Sequence, residues 1–458
     1  LKEEKGINKN MKNFKLPLII LGFIMISMAS CRPSPSAAKT ATWVDPTPSA
    51  TIEPSITPTP EPTITPTAIP PTAVPLPTIP PDLDRLADLT VCASGCSYQT
   101  IQAAIDNISE DDSPLIEILD PVHTEAGIKV NKDLTIRGLG IEETVVQAYE
   151  TREGAPDRVF LIERGVTAVI SDLTIRHGDP ANIDEKGGGI RNFGSLTLVS
   201  TLVTANQANG GGGINNAGDL TLINSTVSDN LADGIASPGL DCGNGGGIQS
   251  GSGTLFILNS TISGNENVKG RARGGGIHIG CSCQAVIVNS TISGNRAASK
   301  GGGDYGHGHS HGGGIYVWGE LLLVNSTITD NFASGDGGGI LVGKRLDYIN
   351  TIIAGNTGKR GNCVLIADDQ IDRDQLIGTN LYNLVPGGGC GAAFTEDPLL
   401  GPLENNGGMT KTHALPADSP AVDLIPQEFC LVTFDQRGEL RADGEPTHCD
   451  PGAYEWQP

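Results

Sequence analysis

The apolar and polar positions of this chain recur in a fixed order. Three consecutive Gly followed by Ile occur six times, the copies ending at Ile190, Ile214, Ile248, Ile277, Ile315 and Ile340. Ten to twelve residues later comes a polar step. It reads Asn224-Ser225-Thr226, Asn259-Ser260-Thr261, Asn289-Ser290-Thr291 and Asn325-Ser326-Thr327, with looser versions at Ser200 and Asn350. Six residues after each step stands another Asn: Asn206, Asn230, Asn265, Asn295, Asn331 and Asn356. From each Ile to this Asn the spacing is 16, 16, 17, 18, 16 and 16 residues. Between the landmarks apolar and polar residues alternate, as in Leu196-Thr197-Leu198 and Leu220-Thr221-Leu222. A period of two is that of a strand with one buried face. Strands this short cannot bury that face alone, whereas stacked copies can. Val227, Ile262, Ile292, Ile328 and Ile353 hold one equivalent position and are expected to form an aliphatic column. The Asn amides are expected to bond to the coils above and below. The Gly run allows a sharp corner at positive φ.

This pattern resembles the right-handed parallel β-helix proteins of the pectate-lyase-like class. It covers at least Leu134 to Asn356, with earlier coils at Leu134-Thr135-Ile136-Arg137-Gly138 and Leu173-Thr174-Ile175-Arg176-His177-Gly178. A β-propeller is disfavoured: its blades need about 40 or more residues, and the Asn-to-Asn periods are 24, 35, 30, 36 and 25. Tyr98, Ile101, Ile105 and Ile108 are spaced as one face of a helix. Cys96 to Ile105 looks like the capping helix that opens many secreted β-helices and covers the first coil. Toward the other end stand Asp397-Pro398-Leu399-Leu400-Gly401-Pro402-Leu403, Asn405-Asn406-Gly407-Gly408, His413-Ala414-Leu415 and Ser419-Pro420-Ala421-Val422-Asp423. Asp435-Gln436-Arg437-Gly438 and Asp450-Pro451-Gly452-Ala453-Tyr454-Glu455 follow. Together these resemble the bacterial choice-of-anchor family of surface β-helix proteins, over about residues 90 to 456. The resemblance implies an all-β solenoid with a capping helix over 83–396 and a C-terminal capping segment over 397–458.

The N-terminus reads as export followed by a tether. Lys12 and Lys15 precede an apolar run from Leu16 to Met28, too short for the roughly 20 residues of a membrane span. Ala29 and Ser30 lead to Cys31, an arrangement that looks like a bacterial lipobox with Cys31 lipidated; Met28 departs from the usual residue there. Residues 1–31 are thus the signal and 32–82 a disordered tether, holding fifteen of the 30 prolines interleaved with Thr. Repeated Pro favours extended polyproline II, which spans on the order of 100 Å over about 50 residues. The expected location is the cell surface, anchored to the membrane through lipid alone.

Nine cysteines remain after Cys31. In an exported chain they are expected to pair. Local partners are Cys92 with Cys96, Cys363 with Cys390, and Cys430 with Cys449; Cys242, Cys281 and Cys283 leave one over.

Composition narrows the function. The chain has 458 residues, 61 Gly, 4% aromatics and a net charge of −22. Such an acidic balance disfavours nucleic acid, which needs clustered Lys and Arg. A monomer is expected. From each ladder Asn to the next Gly-Gly-Gly-Ile run the chain takes 8, 18, 12, 20 and 9 residues, so every insertion is expected at one corner. Loops on one face of a solenoid commonly bind ligand. Candidate binding residues there are Asp179, Asp184, Glu185, Asp233, Asp241, Lys300, Asp304 and Tyr305. A uronate lyase needs a base and a cation. Lys269, Arg271 and Arg273 are the weak catalytic candidates, and carboxylates of adjacent coils could hold Ca²⁺. No lyase or hydrolase signature is legible, so a carbohydrate-binding, adhesin-like display protein is the leading expectation. A polysaccharide lyase is the alternative, with a glycoside hydrolase behind it. His307, His309 and His311 are residue types that bind Zn²⁺ or Ni²⁺. On a Gly-rich loop they fix no geometry, and the plainer reading is a polar loop. The Asn-Ser-Thr steps match a glycosylation sequon but are better read as a turn ladder.

Overall fold

The computed structural model describes residues 76–109, 113–180, 185–233, 244–268, 272–299, 310–367, 372, 375–441 and 448–458. The chain winds as a right-handed parallel β-helix. Each coil contributes a strand to each of three main faces. The first face carries Phe160–Ile162, Ile190–Asn192, Ile214–Asn216, Ile315–Val317 and Ile340–Val342. The second carries Leu134–Arg137, Thr167–Ser171, Ser195–Val199, Asp219–Ile223, Glu320–Val324 and Arg345–Ile349. Two long strands, Ile248–Leu258 and Ile277–Val288, run through both faces. The third face runs from Val122–Thr124 to Ile352–Ala354, and a narrow fourth sheet from Gln207–Ala208 to Phe332–Ala333. Neighbouring coils pair in parallel, with equivalent repeat positions as partners.

The repeat positions explain this register. Val227, Ile262, Ile292, Ile328 and Ile353 are direct partners from coil to coil and are fully buried. Ile190, Ile214, Ile248, Ile277, Ile315 and Ile340 form a second buried column. Each such side chain contributes about 1.5–3 kcal/mol by leaving water. A slip of one residue would turn these columns outward, so burial fixes the register.

The polar repeats satisfy the corners. The first Asn of the Asn-Ser-Thr step adopts the left-handed conformation at Asn224, Asn259, Asn289, Asn325 and Asn350, with φ between 45° and 53°. Asn tolerates that region better than other residues with a side chain beyond Cβ. The following Ser points inward: the amides of Ser225 and Ser260 donate to the hydroxyls of Ser260 and Ser290 at 3.1 and 3.2 Å. The ladder Asn side chains form a continuous chain of amides. The backbone N–H of Asn206, Asn230, Asn265, Asn295 and Asn331 each donates to Oδ1 of the ladder Asn in the next coil, at 2.9–3.1 Å. The Gly run packs against this chain. Gly211 has φ 57°, and a Cβ on Gly213 would collide with the Asn230 amide.

At the N-terminal end, helix α1 (Ile101–Asp106) buries Ile101, Ala104 and Ile105 over the first coil. It is shorter than the Tyr98-to-Ile108 periodicity implies: Tyr98 instead bridges Val91 in the extended backbone. Disulfides join Cys92 to Cys96, Cys363 to Cys390 and Cys430 to Cys449. Cys283 is buried beside the Ser250 hydroxyl, which lies 3.1 Å from its sulfur, and burial pushes its thiol up to about 11. Cys31 and Cys242 lie outside the described residues.

Of residues 397–458, expected to cap the end of the solenoid, the described ones contact its third face along several coils. Gln436 Oε1 accepts from Thr291 at 2.7 Å, and its Nε2 donates to Thr261 and Thr410. The Ala453 amide donates to Thr327 Oγ1, and His413 Nε2 meets the Ser293 hydroxyl at 2.8 Å. Arg441 and Glu455 form a buried ion pair of 2.9 Å, and Arg441 also donates to Asn289 Oδ1. The outward hydroxyls of the Asn-Ser-Thr steps are therefore the docking row for this segment.

Candidate functional site

On the first face the residue after each repeat Ile points outward. From coil to coil these residues are Arg191, Asn215, Gln249, His278, Tyr316 and Leu341. Outward positions of a solenoid strand ordinarily meet solvent, yet Asn215, Gln249, His278 and Tyr316 are all buried. The corner where the insertions leave adjoins this face, between strands such as Leu231–Ala232 and Ile248. From Arg191 to Tyr316 the column is thus a row of hydrogen-bonding side chains at one per coil, about 4.8 Å apart along the axis.

Its C-terminal half is aromatic. His278 stacks on Tyr316 with ring centroids 5.5 Å apart, and Tyr316 on Trp318 at 6.0 Å, the planes 16° and 13° from parallel. The Arg273 guanidinium lies 5.4 Å from the Tyr316 ring centroid. The Trp318 ring lies over Gly343, where any Cβ would collide with the indole, and it remains partly exposed. Burial, aided by the charges of Arg273 and Lys186, lowers His278 to about 3, so its imidazole is neutral at physiological pH. Its Nδ1 is buried with no hydrogen-bond partner among the described residues.

The N-terminal half is ionic. Glu185 pairs with both Arg158 and Arg191. Burial opposes its charge, but the two guanidinium groups outweigh burial and hold the carboxyl below the usual range. Arg191 also lies 4.9 Å from the centroid of Phe193.

The loop residues expected to bind ligand are distributed as follows. Asp179 is half-buried, and burial followed by the nearby Asp233 charge raises it to about 6. Asp233 accepts from Gln207 Nε2 at 3.0 Å. Arg273 is drawn into the aromatic stack rather than standing as an isolated cation. His311 Nδ1 accepts from the Asp336 amide at 3.1 Å, so that nitrogen is already engaged. Asp184, Asp241, Lys269, Arg271, Lys300, Asp304, Tyr305, His307 and His309 lie outside the described residues. Among the described residues no three His, Cys, Asp or Glu gather as a metal site. The sequence reading, directed at the loops, missed Asn215, Gln249, His278, Tyr316 and Trp318. Their signal was the position after each repeat Ile, which alternation sends outward.

No protein-family model and no curated protein matches the chain. Among solved structures, a pectate lyase, Pel9A, is similar over 78% of this chain and 91% of its own, at 14% identity and a TM-score of 0.43. The pectin methylesterase PemA from Erwinia chrysanthemi is similar over 68% and 92%, at 13% identity and a TM-score of 0.34. A Geobacillus virus E2 protein, ORF18, is similar over 62% of this chain and 56% of its own, at 14% identity and a TM-score of 0.32.

Proposed function

We propose that this chain is an exported, lipid-anchored surface protein that binds a polysaccharide along the outward column of its first face, without cleaving it. The observation that carries this reading is the stack of His278, Tyr316 and the partly exposed Trp318, with Arg273 over Tyr316. A flat indole presents a negative π-face to polarised C–H groups, such as those of a sugar ring. Asn215, Gln249 and His278 are buried and hold the column in place, while the partly exposed Arg191 and Trp318 are the groups that sugar hydroxyls and rings can reach. Exposed groups spread over several coils, from Arg191 to Trp318, suit a linear polymer better than a compact ligand. The three disulfides among the described residues agree with an oxidising compartment. The signal and Pro/Thr-rich tether supply the display.

The test is retention of the purified chain on immobilised pectin, alginate and glycosaminoglycans. Trp318→Ala is expected to weaken retention about tenfold, near 1.4 kcal/mol, measured well below the variant's own melting temperature. Equal retention of wild type and Trp318→Ala, or none by either, refutes the site. Release of unsaturated uronate products would replace binding with lyase activity.

A further inference from the structure

We propose that protonated His123 latches the capping layer onto the first full coil, and that losing this proton as pH rises loosens the cap. His123 sits in the edge strand Val122–Thr124 of the third face, and is buried. Both ring nitrogens face carboxylates: Nε2 lies 2.9 Å from Glu125 Oε2 and Nδ1 3.4 Å from Asp120 Oδ2. A carboxylate only accepts, so satisfying both contacts requires two ring N–H groups. Neutral imidazole has one, and the other nitrogen then sets a lone pair against an acceptor.

Each carboxylate also holds a separate part of the cap. Glu125 accepts from the Ile101 and Gln102 amides at 2.7 and 3.0 Å, the first N–H groups of α1. Asp120 accepts from the Ala93 amide at 3.0 Å, within the loop closed by Cys92 and Cys96. The histidine therefore ties the helix start and the disulfide loop to one strand. Ile101, Ala104 and Ile105, which that helix presses onto the core end, depend on the same anchor. The charged groups acting on His123 are Glu125 and Asp120; burial opposes its charge, and the two carboxylates outweigh burial and raise its pKa.

The sign follows from linkage. A base with a raised folded-state pKa stabilises fully below its unfolded pKa, near 6.5, and loses that contribution as pH rises through the folded value. Cap opening should release one proton in this window, so its equilibrium constant should rise by up to about tenfold per pH unit before levelling.

The experiment is native-state hydrogen exchange on the full chain from pH 5.5 to 9, corrected for intrinsic exchange rates. Residues 89–108 are expected to lose protection as pH rises past the ordinary histidine range, while the described strands between 190 and 356 keep theirs. His123→Gln, which has a donor but no titrating charge, is expected to show a pH-independent opening constant in the cap. Titration of ¹⁵N-labelled wild-type histidine by NMR is expected to show the His123 imidazole, the signal missing from His123→Gln, still protonated above pH 6.5. Cap protection that does not change with pH, a pH dependence retained in His123→Gln, or a His123 imidazole, assigned by its absence from the His123→Gln spectrum, that titrates at or below pH 6.5 each overturns the latch.

Discussion

Removing one rung from the middle of the Asn ladder tests whether the repeat is held by its corners as well as its core. Asn265 is fully buried. Its Oδ1 accepts from the Asn230 amide at 3.1 Å and from Asn230 Nδ2 at 3.0 Å. Its Nδ2 donates to the Val227 carbonyl and to Asn295 Oδ1, both at 2.9 Å. Asn265→Ala deletes these four contacts and strands the backbone N–H of Asn230 away from water. An orphaned buried donor costs about 1–3 kcal/mol, and each neutral bond lost about 0.5–1.5 kcal/mol. Asn230 Nδ2 retains acceptors in Val203 and Ser228, which limits the damage. The expected loss is about 3 kcal/mol, read from the urea midpoint with the m-value checked for constancy. The half-buried Asn356, near the far end of the ladder, should cost less when replaced by Ala, about 1–2 kcal/mol. A loss under about 0.5 kcal/mol for Asn265→Ala, the size of an ordinary surface change, would refute the reasoning.

Arg441→Ala leaves Glu455 buried without its cation, a loss of about 3–5 kcal/mol confined to the C-terminal segment. Limited trypsin digestion should then cut at Lys411 and Arg437 while the solenoid survives; equal resistance in wild type and variant would contradict the docking argument. Asp179, raised from 3.8 to about 6, makes the fold more stable on acidification, because its folded form prefers the proton. Stability from this group is fully present below pH 3.8 and lost as pH rises through about 6. Asp179→Asn should therefore raise the melting temperature at pH 7 and flatten its pH dependence over that window.

The fold was legible because its signal is redundant. Each coil repeats an inward aliphatic residue, a left-handed Asn, an amide rung and a Gly corner, so a miss at one position is corrected by the next coil. The pairing of Ile262 with Ile292 and of Asn265 with Asn295 follows from spacing alone. The cap was less legible because Tyr98 fits helical spacing and strand pairing equally; the Val91 bridge won, leaving a six-residue helix. The site was harder still. Loop charges such as Glu185 stand out in a sequence, but Arg158 of the preceding coil and Arg191 of the strand that follows neutralise it. The aromatic stack joins residues 38 apart, His278 and Tyr316, which no local window brings together.

The terminal motifs turn from signature into mechanics once their contacts are traced. Gln436 spans two coils by accepting from Thr291 and donating to Thr261. Asp435 accepts the amides of Arg437, Glu439 and Glu455, so it shapes both the hairpin turn and the terminal stretch that carries Glu455 of the buried pair. A segment fastened this way needs Ser and Thr on the outside of the third face, and that is where the repeat supplies them. The polar step therefore serves two masters: its Ser points inward to link coils, and its Thr points outward to receive the chain's end. The first face carries no such uniform row. Its outward residues change from coil to coil, through Arg191, Asn215, Gln249, His278 and Tyr316. A docking row for the chain's own segment needs sameness, whereas selectivity toward an outside ligand needs difference. That contrast between the two faces of one repeat is the physical reason the proposed polysaccharide is assigned to the first.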